Sequence, residues 1–490
     1  MLHADNPTQL QRWLAALAAY SSTQAYSRPL HRPAQREIRP ARLVVISNRV
    51  SAPRTHKASA GGLAVAMSAL LAEHGGIWLG WSGKTADAPQ THTLMQGRIA
   101  TIVQDLSPGE HEAFYMRFCN ATLWPLLHYN IGLSDFDRSA WEAYIAVNRR
   151  YAELVASILQ PDDLIWVHDF HFLPLAAELR RLGVTNRIGF FLHTPFPARE
   201  VLLTLPVHKE LVAALYAYDV AGFQTRRDLE AFRDYAGPEN LRAQADAFAR
   251  PDTLFAHFPI GIQTHRFARA ARKSLTTPDA EDLQASLSGR QLILGVDRLD
   301  YSKGIVQRLK AIGDLLDRDG KWQKQFTFLQ ISPPTREGLQ QYEQLRAEVE
   351  SLVGHINGKF THIDWVPIRF LARGMRRDLL AAFYRLARIG LVTPLRDGMN
   401  LIAKEFVAAQ DPEDPGVLVL SSFAGAAEEL QQALLVNPYD THEIADTVER
   451  ALTMPLKERQ DRWRAMFDVI SRQTLEKWYQ DYMEALAGTP

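Results

Sequence analysis

Two acidic side chains stand in the stretch TPLRDGMNLIAKE, where a predicted strand gives way to a predicted helix. The apolar run 389–392 predicts a buried parallel strand, and helical spacing begins after Gly398. Asp397 falls in the loop, and Glu405 follows Gly398 by seven residues, about 10 Å along a helix axis. Ligands of open α/β sheets bind at such strand ends, so one acid could hold a sugar and the other a ribose. The spacing alone equally allows an N-capping Asp397 and a solvated Glu405.

The loop DRLDYSKG at 297–304 places two cations after the predicted strand 291–296. Arg298 and Lys303 flank this loop, and a predicted helix begins directly after it. Cations beside a helix N-terminus concentrate positive potential on one point, as the binding of a diphosphate requires. Two solvated surface cations are the alternative that the sequence leaves open.

Polar residues also end three predicted strands in the first half of the chain. They form SNR at 47–49, HDFH at 168–171 and HTPFP at 193–197. Two histidines and an aspartate in HDFH are residue types that bind metals, but the H-D-x-H spacing fits no common zinc template. We therefore expect hydrogen-bonding roles for Asp169 and His193, and no metal.

A glycine pair, Gly61 and Gly62, precedes the helical run 63–71. A strand, a loop, two glycines and a helix form a layout that binds phosphate, because glycine lets a ligand approach the backbone closely. The pair is not the dinucleotide fingerprint G-x-G-x-x-G, and a simple turn is the alternative interpretation.

Strands and helices alternate along most of the chain, which predicts an α/β fold with parallel sheets covered on both faces. FPIGI at 258–262 and HIDWVP at 362–367 are among the predicted strands. The pattern restarts after a polar stretch, and 490 residues exceed one ordinary core, so we predict two domains. The predicted segments are a partly disordered extension at 1–40, a first domain at 41–270, a second domain at 271–455 and terminal helices at 456–490.

Composition restricts the function classes. Lys plus Arg and Asp plus Glu number 55 each, so the absence of net charge argues against bulk binding to nucleic acid or anionic membranes. The single cysteine, Cys119, allows neither an intrachain disulfide nor a multi-thiolate metal site. No apolar run approaches the ~20 residues of a membrane span, and we see no signal peptide, so we expect a cytoplasmic protein.

Several long motifs together resemble one family, the trehalose-6-phosphate synthases, which are retaining glucosyltransferases. The match runs from about Leu43 to the terminal helices. Its motifs, in chain order, are VISNRV, SAGGL, LWPLLHYN, WVHDFHFLPL, FFLHTPFP, GFQT, FPIGI, RLDYSKG, TPLRDGMNLIAKEFVAAQ and VLVLSSFAGAAEEL. The resemblance implies two facing Rossmann-like domains of the GT-B type, with the active site in the cleft between them. It also implies that the last helix crosses back to the first domain.

The resemblance further implies a site for the acceptor, glucose 6-phosphate. Arg49 would bind its phosphate, with help from Tyr115 and Arg336. Trp124 would line the acceptor pocket, and Asp169 would hydrogen-bond to acceptor hydroxyls.

For the donor, most simply UDP-glucose, the resemblance implies a second set of contacts. Gly61 and Gly62 would let the donor approach the backbone, and His193 would contact the donor sugar. Arg298 and Lys303 would hold the diphosphate, and Asp397 would hold glucose hydroxyls with the backbone at 398–400. The nucleotide would lie along the residues that start the next helix, with Glu405 on the ribose: Leu401, Ile402, Ala403, Lys404 and Glu405.

The implied reaction is front-face transfer of glucose, in which Arg298, Lys303, Asp397 and His193 are the catalytic set. It needs no cofactor and no metal, and a homo-oligomer, dimer or tetramer, is expected. Nothing follows residue 490 that resembles a phosphatase, so we expect the product to keep its phosphate.

Three residues depart from the family pattern: Thr194, Phe170 and Asp297 stand where an aliphatic residue, tyrosine and glutamate are expected. Thr194 puts the donor preference in mild doubt. The alternatives are a sister enzyme using glycerol 3-phosphate, or ADP- or GDP-glucose, and a catalytically silent sugar-phosphate sensor. A pyridoxal-phosphate phosphorylase would need a lysine Schiff base, for which Lys404 is the one candidate.

Overall fold

The fold is known from a computed structural model that describes residues 3–4, 41–50, 62–239, 249–250, 252–318 and 320–488. Of the predicted extension, His3–Ala4 is described and forms an edge strand. The predicted disorder of that extension and the site residue Gly61 lie outside the described residues.

The strands form one sheet in the first half of the chain and another in the second half. In chain order they are β1 (His3–Ala4), β2 (Leu43–Arg49), β3 (Gly76–Thr85), β4 (Thr91–Gln96), β5 (Ile99–Leu106), β6 (Leu164–His168), β7 (Arg187–Phe191), β8 (Val220–Phe223), β9 (Leu254–His257), β10 (Gln291–Val296), β11 (Phe326–Ile331), β12 (Ile368–Leu371), β13 (Ile389–Val392), β14 (Val417–Ser421) and β15 (Leu434–Val436).

Helices cover the faces and edges of these sheets. The α-helices are α1 (Gly62–His74), α2 (Pro108–Glu110), α3 (Trp124–Leu127), α4 (Arg138–Ile158), α5 (Leu175–Arg181), α6 (Arg199–Leu202), α7 (His208–Ala213), α8 (Arg226–Glu239), α9 (Thr264–Lys273), α10 (Pro278–Leu287), α11 (Ile305–Asp317), α12 (Gln340–Phe360), α13 (Arg377–Leu386), α14 (Leu401–Ala409), α15 (Thr441–Thr453), α16 (Leu456–Arg472) and α17 (Leu475–Ala487). A π-helix at His111–Leu123 joins α2 to α3, and short 3-10 turns include Phe170–Phe172 and Tyr301–Lys303.

Both sheets are built around parallel strands. The first has the order β1-β4-β5-β3-β2-β6-β7-β8-β9, and only its β1–β4 and β4–β5 pairs are antiparallel. The second has the order β12-β11-β10-β13-β14-β15 and is parallel throughout. Two such sheets with helices confirm the predicted α/β fold with two Rossmann-like domains. The domain boundaries stay predictions.

Successive side chains of a strand point to opposite faces of its sheet, so a sheet covered on both faces contributes side chains to two cores. Along β2, Val44 and Ile46 enter one apolar core, while Leu43 and Val45 enter a second core on the opposite face. That second core also contains Leu418 of β14, so it extends from one sheet to the other.

The last helix, α17, packs on the first sheet although it follows the second in sequence. The Tyr482 hydroxyl donates to the carbonyl of Phe190 in β7 over 2.8 Å. Its ring stacks on Trp166 of β6 with 4.6 Å between centroids. Gly189 and Gly222 face this ring, and a Cβ at either would lie within 3 Å of it. Tyr482 therefore fits against β7 and β8 because both strands have a glycine, without a side chain, at the point of contact.

Two predicted strands are wrong in position. FPIGI, at 258–262, follows the true strand β9 and lies outside the sheet. Its Ile262 forms an isolated bridge with Thr474. HIDWVP, at 362–367, precedes the true strand β12 and forms a turn closed by His362 and Trp365. Short apolar runs of this kind do not reveal by periodicity which few residues join the ladder.

Among the helices of the described ranges, none combines the length and the apolar character that crossing a membrane requires.

The packing of Tyr482 yields a stability prediction. Tyr482→Ala leaves a cavity and removes a buried hydrogen bond, so we expect the free energy of unfolding to fall by about 3–5 kcal/mol. Tyr439→Ala is the matched control, because that tyrosine is 59% exposed, and we expect a change within about 0.5 kcal/mol. Urea denaturation followed by circular dichroism measures both, and equal losses would contradict the assigned role of α17.

Candidate active site

The loops that follow the strands of the two sheets meet edge to edge. Gly398, after β13, lies against the backbone after β7, and a Cβ there would lie 2.1 Å from the His193 carbonyl oxygen. Gly304, after β10, has φ +64° and similarly faces the Thr393 carbonyl. Any side chain at Gly398 would push the two halves apart, so this approach brings their polar loop residues together, whereas Gly304 joins two loops of the second half.

Lys303 and Asp397 form the central ion pair of this junction. The ammonium nitrogen lies 2.6 Å from Asp397 Oδ2, and Asn400 Nδ2 donates to the same oxygen over 3.1 Å. Burial disfavours the charged carboxylate, but Lys303 outweighs this effect, and the pKa of Asp397 falls below its ordinary value. Asp397 is therefore ionised, and both of these donors are held on one of its two oxygens.

The helix after this loop begins at Leu401, two residues after the predicted start at Met399, and its cap excludes one alternative. Asn400, with φ +84°, is the N-cap of α14, and its side chain accepts from the Ala403 amide over 3.1 Å. Asp397 is thus not the capping residue that the spacing allowed. The amide groups of the first helical turn point toward the loop.

Three charged residues lie against Trp124 on the other side of the junction. The Arg336 guanidinium lies 3.8 Å from its ring centroid, and that of Arg298 lies 5.4 Å away. Asp300 joins the group, because its carboxylate accepts from Arg336 over 2.7 Å and from the indole nitrogen over 3.4 Å. Burial opposes its charge, but Arg336, Arg298 and Lys303 outweigh it and lower the pKa of Asp300.

Arg336 also connects the halves of the chain, because it donates to the side chain of Asn120 in the π-helix. It has a positive φ of 48°, as do two other site residues, Asp169 at 74° and Asn400 at 84°. Such backbone conformations cost about 1–3 kcal/mol each, persist only where the surroundings enforce them and concentrate at functional sites.

Arg49 and Tyr115 lie at the outer side of this group, joined through Trp81. The Arg49 guanidinium is 5.8 Å from the Trp81 ring centroid, and the Tyr115 ring is 4.9 Å from it. Arg49 is exposed. An anion could therefore approach Arg49 from solvent.

His193 and Asp169 follow adjacent strands and are hydrogen-bonded to one another. The His193 backbone amide donates to Asp169 Oδ1 over 3.2 Å. Burial raises the pKa of Asp169 to about 6 and lowers that of His193 to about 3. Both imidazole nitrogens of His193 face protein groups, namely His168 at 3.1 Å and Gln224 at 3.2 Å.

The predicted nucleotide residues divide into two groups. Leu401 and Ile402 are half-buried at the start of α14, and Glu405 accepts from Arg377 of α13 over 2.8 Å. Burial raises the pKa of Glu405 despite this cation. The Lys404 amine, by contrast, is fully buried and bonds to the Ile260 carbonyl at 2.7 Å and Glu429 at 2.5 Å.

That geometry corrects the prediction for one side chain. With its amine held by Ile260 and Glu429, Lys404 cannot contact a nucleotide through that amine, and no Schiff base could form without breaking both contacts. Ala403 likewise presents no group but a buried methyl, and its amide is taken by Asn400.

Arg308 fixes the backbone of the loop that carries Lys303. Its fully buried guanidinium donates to Asp297 over 2.9 Å, to Gln330 over 2.9 Å, to Thr393 over 3.1 Å and to the Lys303 carbonyl over 3.2 Å. One side chain therefore connects the carboxyl ends of β10, β11 and β13 with the backbone that carries Lys303. Burial raises the pKa of Asp297 even with Arg308 beside it.

The candidate metal ligands do not converge at this junction. Across the described ranges, the one group of three such side chains within 4.8 Å is Glu73, His74 and Glu476, which contains no predicted site residue.

The structure thus brings most of the predicted residues to one junction and adds several that the sequence did not indicate. Asp300 and Asn120 hold Arg336, Arg308 supports the Lys303 loop, Arg377 holds Glu405, and Gln224 faces His193. Asp300 and Gln224 lie inside the family motifs RLDYSKG and GFQT, and this was the sequence signal that could have identified them. Arg308 and Arg377 lie on helices, where an arginine is usually a surface residue.

Comparison with known proteins places the chain among glycosyltransferases. A model of glycosyltransferase family 20 matches residues 39–488. A trehalose-6-phosphate synthase from Sinorhizobium fredii (strain NBRC 101917 / NGR234) is 46% identical over 461 residues, which are 92% of this chain and 99% of that protein.

Two solved structures are similar in fold and sequence. One is a UDP-forming α,α-trehalose-phosphate synthase from Burkholderia xenovorans in complex with glucose-6-phosphate, with 44% identity, a TM-score of 0.86 and coverage of 91% of this chain and 100% of that one. The other, from E. coli, is bound with UDP-2-fluoro glucose and has 42% identity, a TM-score of 0.84 and coverage of 91% and 99%. The family expected from the motifs is confirmed.

The burial of Arg308 yields a prediction about the scaffold. Arg308→Met leaves Asp297 as an uncompensated buried acid, so we expect a loss of about 3–5 kcal/mol in the free energy of unfolding. Arg318→Met is the matched control, because that arginine pairs with Asp446 and Glu449 at the surface, where we expect about 1 kcal/mol or less. Denaturant titration compares them, and a small effect of Arg308→Met would overturn the scaffold assignment.

Proposed function

The chain belongs to glycosyltransferase family 20, and on that premise we propose that it transfers glucose from UDP-glucose to glucose 6-phosphate. The products are α,α-trehalose 6-phosphate and UDP, formed with retention at the anomeric carbon. The observation that carries the proposal is the Lys303–Asp397 pair, which sets a diphosphate-binding cation beside a sugar-binding acid where the two sheets meet.

The acceptor side is proposed around Trp124. Arg336 is held over this ring by Asp300 and Asn120, so its guanidinium is fixed before a ligand arrives. With the exposed Arg49 it would bind the phosphate of glucose 6-phosphate, since planar guanidinium groups suit phosphate oxygens. Asp169 would accept from acceptor hydroxyls.

The donor side is proposed around the junction loops. Arg298 and Lys303 would bind the diphosphate, and negative charge grows on its leaving oxygen as the glycosidic bond breaks. Cations placed where charge develops stabilise the transition state more than the ground state. Both donors described for Asp397 end on Oδ2, so its Oδ1 would accept from a glucose hydroxyl.

Retention is proposed to occur by attack on the same face that the leaving group departs from. The bond from the anomeric carbon to the UDP oxygen breaks, and a bond to the acceptor's anomeric oxygen forms. The acceptor's proton passes to the departing phosphate oxygen, so no protein nucleophile is required. Asp300 and Asp397 are ion-paired with Arg336 and Lys303 respectively, which suits charge stabilisation better than attack.

The nucleotide is proposed to lie along the first turn of α14. Glu405 would accept from the ribose hydroxyls, as an acid does in dinucleotide-binding folds, while Arg377 holds its carboxylate in place. We propose backbone contacts at Leu401 and Ile402, and no direct role for the Lys404 amine.

The setting of the enzyme stays a prediction in two respects. A cytoplasmic location rests on the single cysteine, which fits a reducing compartment. A dimer or tetramer rests on the family resemblance alone. No nucleic acid, membrane or cofactor partner is proposed.

The alternatives differ in chemistry and can be separated by one assay. A sister enzyme would use glycerol 3-phosphate, ADP-glucose or GDP-glucose, and a silent sensor would bind sugar phosphate without turnover. The purified full chain is incubated with a matrix of nucleotide-glucoses and sugar phosphates, and products are identified by mass spectrometry. We expect a disaccharide phosphate from UDP-glucose and glucose 6-phosphate. Turnover only with another pair, or none at all, would overturn the proposal.

Arg298 and Lys303, which together are called the diphosphate clamp, yield a prediction about turnover. Arg298→Ala and Lys303→Ala each remove a cation from the leaving group, so we expect kcat to fall by about 100-fold or more while the fold is kept. Lys321→Ala, which changes an exposed lysine paired with Glu449, is the control and should leave kcat unaltered. Near-normal turnover in a folded Arg298 or Lys303 variant would rule out the clamp.

The position of Asp397 yields a prediction that separates sugar from nucleotide. Asp397→Ala removes a sugar-binding oxygen but also frees Lys303 for the diphosphate. We therefore expect calorimetry to give UDP an affinity equal to or above that of the unaltered protein, while turnover of UDP-glucose falls by about 100-fold. A parallel loss of UDP affinity would contradict the division of roles.

A further inference from the structure

A buried chain of hydrogen bonds crosses the carboxyl edge of the first sheet and passes through His193. Its members end or follow β6, β7, β8 and β9, which are neighbours in the sheet. In sheet order they are His168, His193, Gln224 and Ile260. Two of them come from motifs to which the proposed function gives no role, GFQT and FPIGI.

The direction of this chain is set at one end by a group that can only donate. The backbone amide of Ile260 lies 3.2 Å from Gln224 Oε1, so the carboxamide oxygen must face Ile260. The Gln224 NH₂ group then faces His193 Nδ1 at 3.2 Å, and this nitrogen must accept. Burial lowers the pKa of His193 to about 3, so the ring is neutral and carries its proton on Nε2.

The proton on His193 Nε2 points at His168. His168 Nδ1 lies 3.1 Å away and accepts it, which leaves the His168 proton on Nε2. That atom is buried and has no hydrogen-bond partner in the described part of the chain, so the relay ends there. The rings of Phe191 and Trp478 pack beside His193 at 4.7 and 6.2 Å. Asp169 accepts from the backbone amide of His193.

The other end of the chain reaches the second sheet. The Ile260 carbonyl accepts from the buried Lys404 amine over 2.7 Å, and Lys404 lies in α14, next to Glu405. The bond to Lys404 and the bond to Gln224 are both made by the backbone of one residue, Ile260. The helix proposed to hold the nucleotide is therefore connected, through Ile260 and Gln224, to the histidine at the proposed sugar site.

We propose that Gln224 is a positioning residue that fixes His193 as an Nε2–H donor. A donor-sugar oxygen that displaces His168 would then always meet a hydrogen-bond donor in a fixed orientation. The tautomer follows from the contacts alone, whereas its effect on sugar binding rests on the proposed function.

The test is nuclear magnetic resonance of the full chain labelled with ¹⁵N-histidine at neutral pH, with His193 assigned from the spectrum of His193→Asn. We expect His193 to be protonated at Nε2. In Gln224→Glu the carboxylate still accepts from Ile260 but cannot donate to His193, so the proton should move to Nδ1. The matched control is Gln410→Glu, since Gln410 is an equally buried amide that bonds to Tyr384, Phe406 and Gly416. It should leave His193 unchanged.

The kinetic readout is separate. Loss of one oriented hydrogen bond to the sugar should lower kcat/KM for UDP-glucose by about tenfold in Gln224→Glu, and not in Gln410→Glu. His193 protonated at Nδ1 in the unaltered protein would overturn the proposal, even if the variant does not fold. So would an unshifted His193 in a folded Gln224→Glu. Absence of any glucosyl transfer would refute the proposed function but leave the tautomer assignment to be decided by the spectra.

Discussion

The structure of the second half depends on one buried cation. Arg308 is fully buried, and an isolated charge at that depth would be too costly to keep. Its cost is offset by Asp297, Gln330, Thr393 and the Lys303 carbonyl, which satisfy the guanidinium on every side. Because these partners terminate three parallel strands, satisfying Arg308 also fixes where those strands end. The position of the loop that carries Lys303 is fixed by the same hydrogen bonds.

The contact between the two halves follows from the loops so fixed. Gly398 allows the β13 loop to touch the backbone after β7, and Trp124 from the first half reaches Asp300 in the second. These contacts involve polar groups, and the apolar core that includes both Val45 and Leu418 also joins the two sheets. Such a division suits an enzyme that must admit ligands between two bodies, since the polar contacts are the ones that ligands can replace.

The sequence predicted the fold class and the strand-end loops because both depend on local signals. Apolar runs bounded by polar clusters predict strands, and polar residues after parallel strands must share one edge. It failed where the partner is remote in sequence. The Lys404 amine meets a carbonyl 144 residues away, so nothing in LIAKE shows that this side chain turns from the nucleotide. FPIGI was apolar enough to be a strand, yet its residues serve α17 and Gln224 instead.

The arrangement of acids beside the clamp explains how the proposed site could favour a transition state over a substrate. Lys303 begins with a strong partner, Asp397, and Arg336 begins with Asp300. A diphosphate that bound Lys303 equally well before and after bond cleavage would gain affinity without gaining rate. Under the proposed function, Asp397 would compete with the ground-state diphosphate for the Lys303 ammonium, so Lys303 would be shared until the leaving oxygen acquires its full charge. At that point the balance shifts toward the leaving group, while Asn400 remains to satisfy Asp397 Oδ2. An acid placed against a catalytic cation therefore weakens binding where binding is unproductive and leaves the cation available where charge develops.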